Sequence, residues 1–221
     1  MIVSHITEGN FNGAVSWLCN PKSNASSHFV VAKDGRITQL VSLEDGSWCN
    51  GTSTNPPTSK LDYRKSTLKN VKDRKTNANY YTITIEHEGF SYEGQGRLTD
   101  EQLKATIWLH KHIIKEVKRI YGIDIPLDRD HIVGHYEINP ITKLFCPGKN
   151  FQFGRIIESL REDVVDMAIE KWQREMGEKA LNNLANSKVV DSPEKWKSTL
   201  GDNVPQWLFW SMLDRLNKGV K

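Results

Sequence analysis

Apolar and polar positions along the chain change period several times, and the changes mark out its elements. Met1-Ile2-Val3-Ser4 reads as a short strand that delivers His5 at its end, and Glu8-Gly9-Asn10 turns the chain. Between Asn12 and Cys19 the apolar residues Ala14, Val15, Trp17 and Leu18 suit a short helix, capped by Asn10 or Asn12 and stopped at Asn20-Pro21. Ser26 to Ala32 is β-branched and aromatic, as strands are, and Lys33-Asp34-Gly35-Arg36 is an Asp-Gly hairpin turn with Ile37 to Val41 as its return strand. Tyr80 to His87 is the strongest strand pattern, with Ile83 and Ile85 on one face and Thr82, Thr84 and Glu86 on the other. β-branched residues on both faces predict a central position in a sheet. Thr99 caps a long helix whose apolar face runs from Leu103 through Ile107, Leu109, Ile113, Ile114 and Val117 to Ile120, with Gln102 placed as in a capping box and Gly122 as terminator. Ile132-Val133 is a last short strand, ending at Gly134, with His135 leaving it into a loop.

The pattern predicts an α/β fold: a mixed central sheet flanked by helices, with the helix at about 100–121 packed on the central strand. Phe151 to Asp163 reads as the closing helix of this first domain, taken as residues 1–160. From about Val164 the character changes. Residues 1–155 carry 20 basic and 16 acidic side chains (+4), the remainder 10 and 11 (−1). Residues 161–221 read as a small all-helical C-terminal domain with helices at about 160–186, 192–199 and 204–218, Ser192-Pro193-Glu194 being a helix start with Pro at its first position. Trp172, Trp196, Trp207 and Trp210 fall here. They suit either the core of a very small domain or a face on which sugars stack.

Between these elements, Gly51 to Asn79 is polar, with seven Lys or Arg (60, 64, 65, 69, 72, 74, 75) against Asp62 and Asp73. It reads as a solvated surface loop, or else as a lip that attracts an anionic polymer. The 221-residue chain carries 30 basic and 27 acidic residues, a formal charge of +3, too modest to point to nucleic acid. No 18-residue apolar run is present, so no membrane insertion is expected. The first residues lack the basic region and long apolar core of a secretory signal, so the expected location is cytoplasmic unless something else releases the protein. Three cysteines, Cys19, Cys49 and Cys146, suit a metal or buried-thiol role better than a disulfide scaffold.

The candidate chemistry sits at strand ends, where ligands of open α/β sheets gather. His135 and Cys146 share one loop and are borderline-soft ligands that suit zinc. A catalytic zinc needs a third protein ligand and one open position, and His5 at the end of the first strand can provide the third. Glu86, leaving the central strand, is the candidate base, with Glu88 two residues on as its rival. Lys143 and Thr142, on the loop of Cys146, are the candidate donors to a developing oxyanion. His110 and His112, two places apart on the long helix, point to different sides and read as ordinary helix residues.

Five segments in order carry a resemblance: His5-Ile6-Thr7, Ser27-His28-Phe29-Val30-Val31 with Asp34-Gly35-Arg36-Ile37 and Gln39-Leu40-Val41, Thr84-Ile85-Glu86, Gly134-His135-Tyr136-Glu137, and Cys146-Pro147-Gly148. Over about residues 1–160 the chain resembles the zinc N-acetylmuramoyl-L-alanine amidases, a family that includes phage amidase lysins and relates to peptidoglycan recognition proteins. The resemblance implies zinc on His5, His135 and Cys146, the strand-end acid at Glu86, and hydrolysis of the amide between muramic acid and L-alanine. It implies bacterial peptidoglycan as partner. Family members often carry a basic residue two places before the Cys; here that place is Leu144, with Lys143 one step further back. His28 matches a family His beside the site, where it serves the site or the scaffold. The position of the tail after a lysin-type domain suggests that it targets the wall through a secondary wall polymer. The rival reading is a recognition protein that binds peptidoglycan without cutting it; relatives that only bind tend to lose the metal ligands, and all three are present here.

Overall fold

The computed structural model describes residues 1–53, 60–167, 171–187 and 192–194. The chain divides into two compact units, Met1–Arg161 and Glu162–Lys221. The first is built on a five-stranded sheet in the order β3-β2-β4-β1-β5, with β1 Ile2–Ile6, β2 Phe29–Val31, β3 Ile37–Gln39, β4 Ile83–His87 and β5 Ile132–Gly134. Only the β2–β3 hairpin is antiparallel; β2, β4, β1 and β5 run parallel. β4 occupies the centre, as its two-faced β-branched pattern predicts. β1 runs one residue past His5, so His5 lies within the strand rather than at its tip.

Helices cover both faces of the sheet. On one face Ile2, Phe29, Val31 and Ile85 pack against Leu109, Ile113 and Val117 of α3 (Asp100–Tyr121). Ile132 packs there with Leu103 and with Phe153, Ile156, Ile157 and Leu160 of α5 (Phe153–Met167). On the other face Val30 and Ala32 meet Phe11 of α1 (Phe11–Leu18). Val3 and Val133 meet Val71 of α2 (Lys69–Arg74) and Ile138 of α4 (His135–Ile138). Asn10 caps α1 by accepting the Gly13 N–H, and the Thr99 hydroxyl caps α3 by accepting the Gln102 N–H. Gln102 does not complete a capping box. Its buried side-chain amide donates instead to the carbonyls of Val31 and Glu88, which ties the start of α3 to β2 and β4.

Two sequence expectations need correction. Residues 51–79 are not simply a solvated loop. Leu68, Val71 and Ala78 are buried in the core beside Val3 and Val133, and the segment forms α2 between single 3-10 turns at Tyr63–Lys65 and Ala78–Tyr80. Part of its charge is paired internally, Arg64 with Asp62 and Lys69 with Asp73. His135 does not leave into a loop either: it opens α4, where the Glu137 carboxylate accepts the Gly134 N–H.

In the second unit the described residues form the end of α5 and then α6 (Lys171–Asn186), helical throughout as expected over 160–186 wherever that span is described. Pro193-Glu194 is helical; the rest of the helix expected at 192–199, the one at 204–218 and the side chains of the four Trp lie outside the described residues.

Candidate metal centre and groove

The carboxyl ends of three neighbouring parallel strands assemble the centre. His5 on β1 stands in register with Glu86 on β4, and on its other side β1 pairs with β5, whose last residue precedes His135. The His5 and His135 rings lie 4.4 Å apart at 61°. Cys146 reaches the same place from the loop after α4. That loop is folded on itself: Asn139 Oδ1 accepts the Ile141 and Thr142 N–H groups, the Cys146 N–H donates to Lys143 O, and the Tyr136 N–H donates to Cys146 O. One ligand atom from each of His5, His135 and Cys146 lies within 4.8 Å of the others. The structure therefore brings together the three residues that the sequence singles out.

Backbone contacts pin this loop from outside. The Cys146–Pro147 bond is cis. Gly148 has φ +125° and Gly96 has φ +79°, and a Cβ on either would fall about 2 Å from backbone oxygen of the opposite segment, Gln95 O or Pro147 O. Gly134 is less tightly confined, a Cβ there meeting the Tyr136 and Pro147 side chains at 2.7 and 2.8 Å. These glycines let two backbones cross at contact distance beside Cys146.

Burial sets the electrostatics. It pushes the pKa of His5 well below the ordinary imidazole value, helped by His135, His87 and Lys143. His135 is pushed to about 3, again by burial first and then by Lys143. Both rings are thus neutral, with lone pairs available to a cation. The Cys146 thiol is pushed up by burial. Glu86 is raised to about 7 by burial, partly offset by the Lys143 ammonium. Its Oε1 is 3.9 Å from His5 Nδ1, and its Oε2 is buried without a hydrogen-bond partner among the described residues. Lys143 acts electrostatically on His5, His135, Glu86 and Cys146, and with Thr142 it lines the same groove.

The other candidates fall elsewhere. Glu88 is not at the groove; its carboxylate accepts the Lys33 N–H at the hairpin turn. His28 is buried in the scaffold, with Nδ1 accepting the Thr84 N–H and Nε2 facing Asp45 O. His110 and His112 are helix residues of α3 away from the centre, as expected: His110 is fully buried, with Nδ1 facing Thr106 O, and His112 stacks on Trp108. Cys49, to which the sequence reading gave no specific role, stands beside His5. The centre opens into a groove of about 900 Å³. Exposed Trp17 and Trp48 line it, as do exposed Leu144 and Phe145 of the Cys146 loop.

Residues 1–149 match the family model described as N-acetylmuramoyl-L-alanine amidase. The chain is 32% identical over 113 residues to N-acetylmuramoyl-L-alanine amidase A of Achromobacter lyticus, covering 51% of this chain and 49% of that protein. It is 29% identical over 136 residues to the 1,6-anhydro-N-acetylmuramyl-L-alanine amidase AmpD of Haemophilus influenzae, covering 62% and 59%. The chain thus spans about half the length of the curated relatives it matches. Among solved structures, AmpDh3 of Pseudomonas aeruginosa, in complex with an anhydromuramic pentapeptide, superposes with a TM-score of 0.50 at 18% identity, over 93% of this chain and 74% of that one. At that identity the likeness concerns the fold.

Proposed function

Because the chain belongs to the N-acetylmuramoyl-L-alanine amidase family, we propose that it hydrolyses the amide between the lactyl group of muramic acid and L-alanine in peptidoglycan, using a zinc ion held by His5, His135 and Cys146. The observation that carries this reading is the gathering of those three donors beside a buried carboxylate at the mouth of an open groove. The donor set fits zinc: two neutral imidazoles and one thiol whose proton a borderline-soft cation would displace, three protein donors as a catalytic zinc site would use. When bound, zinc supplies Lewis-acid chemistry, acidifying a water and polarising the amide carbonyl.

The chain's own residues do the rest. Glu86 takes a proton from the attacking water and returns it to the leaving amine of L-alanine. Lys143 places a positive charge where the oxyanion develops, with the Thr142 hydroxyl beside it as an alternative donor. The groove lining, with Trp17, Trp48 and Phe145, suits pyranose faces and a peptide stem. The reading extends to a lytic enzyme of phage type, kept in the cytoplasm until it reaches the wall. The second unit would hold a secondary wall polymer. The order of a catalytic unit and a Trp-rich tail supports this extension, and loss of binding to intact walls on deleting the tail would test it.

The main test is mass spectrometry of purified peptidoglycan digested by the zinc-loaded protein. Free stem peptides beginning with L-alanine, alongside uncut glycan strands, are expected, and a chelator should stop their release. Binding to the wall without release of peptides would identify a recognition module instead.

A further inference from the structure

The amidase reading uses three donors and leaves Cys49 idle. Yet its sulfur lies 3.8 Å from His5 Nε2, and with His5 and Glu86 it forms a second set of ligand atoms within 4.8 Å of one another. Nitrogen and sulfur bound to one tetrahedral zinc are about 3.6 Å apart, given their usual bond lengths, so Cys49 already stands at nearly ligand spacing from His5. The surroundings of the sulfur are also unusual for a packed thiol. The hydroxyls of Thr84, Ser47 and Ser27 lie near it and are linked to one another, Ser47 to Thr84 at 2.7 Å and Ser27 to Thr84 at 3.2 Å, while burial pushes the pKa of the thiol itself up to about 12, so that only a cation would hold it as thiolate. The adjacent Glu86 Oε2 is a further buried polar atom with no hydrogen-bond partner among the described residues.

We infer that Cys49 is an exchangeable fourth ligand, whose thiolate closes the coordination shell of a zinc held by His5, His135 and Cys146 when no substrate is bound. This rests on the zinc reading above. Two histidines and two cysteines with no open position make a closed, structural type of site. Displacement of one sulfur by water or by the substrate carbonyl then converts it to the open, catalytic type. As described, Cys49 sits with His5 and Glu86, so closure needs the Cys49 side chain to rotate and swing its sulfur toward the ion, while Ser47, Trp48 and Asn50 on either side stay held by Thr84, Ser26, Asn79 and Thr82. The thiol proton leaves through the groove as the metal–sulfur bond forms and returns when the bond breaks, and no electrons are exchanged. The device would keep an unoccupied active site from binding adventitious ligands.

The experiment counts sulfurs on the metal. X-ray absorption at the zinc edge of the full-length, one-zinc protein without substrate should find two sulfur ligands, and one in both Cys49→Ser and Cys49→Ala. In the cobalt-substituted protein, thiolate-to-metal absorption should halve in the same variants. Addition of a muramyl tripeptide to the wild-type protein should reduce the count from two to one. A single sulfur in the wild-type protein without substrate overturns the inference while leaving the amidase reading intact. A protein that takes up no metal removes both. The wild-type count decides the matter even should the variants fail to fold.

Discussion

His5 and Glu86 are register partners on neighbouring parallel strands, with Nδ1 and Oε1 3.9 Å apart. Their relation is therefore fixed by the β1–β4 backbone ladder and not by a loop, which is how the proposed base can be held near the proposed metal ligand without other support. Glu86→Gln preserves shape while removing the base. It should retain zinc and bind peptidoglycan normally, with turnover lower by at least about a hundredfold, the usual scale of positioned proton transfer. Metal analysis and steady-state kinetics check this. Glu88→Gln should leave turnover unchanged, since that carboxylate is committed to the Lys33 N–H.

Much of this arrangement was legible in the sequence because it depends on local pattern. The two-faced apolar run at Ile83–Ile85 placed β4 at the sheet centre, Thr99 and Gly122 bounded α3, and residues at strand ends pointed to the centre. Where contacts depend on tertiary return, the sequence was silent. Cys49 lies in a turn with no period, and it reaches His5 only because the β2–β3 hairpin brings the chain back over β4. Its only signal was a lone Cys before Asn-Gly. Leu68, Val71 and Ala78 are too few apolar residues among charges to show a period, yet they fill one patch of core. Gln102 matched a capping box, but burial gave its amide two carbonyls to satisfy instead.

Gly148→Ala should destabilise the first unit by more than about 2 kcal/mol, because the new Cβ meets Gln95 backbone at a positive φ that side chains disfavour. Zinc affinity should fall with it, since Cys146 is two residues away. Gly94→Ala is the control: it too has positive φ, but nothing lies within 4 Å of the added carbon, so its loss should stay near about 1 kcal/mol. Denaturant titration of both variants makes the comparison.

His110 gives a test in pH. Its Nδ1 faces Thr106 O, its Nε2 is buried without a partner among the described residues, and burial lowers its pKa to about 4. Between about pH 6.5 and 4 the unfolded chain holds a proton there that the folded chain does not, so stability falls as the solution is acidified through this window. Above it the group contributes nothing to pH dependence. The linked loss at pH 4 is roughly 3 kcal/mol. His110→Leu should therefore flatten the stability profile over this window by about one proton's worth of slope. His87, buried on the same side of the sheet and lowered to about 3, should leave a residual slope of the same sign. An unchanged slope in His110→Leu would show that the folded chain takes up the same proton at this position, so that burial does not lower its pKa.

Lys143 decides whether the shifted spacing before Cys146 is harmless. The family's usual position for a basic residue is held here by Leu144, an exposed side chain on the groove wall. Lys143, one residue earlier, nonetheless acts on all four central groups, lowering the pKa values of His5, His135, Glu86 and Cys146 alike. The Asn139 turn and the Cys146–Lys143 backbone bond fold the loop tightly enough to bring that earlier residue inward. Lys143→Met keeps the length of the stem and removes the charge. Turnover should fall by about 10²–10³, the scale of losing one oxyanion donor, while zinc content and KM change little. Leu144→Ala should move KM more than kcat, because Leu144 offers the substrate only apolar surface. A Lys143→Met protein with full turnover would pass the role to Thr142, and Thr142→Val should then show the loss that Lys143→Met did not.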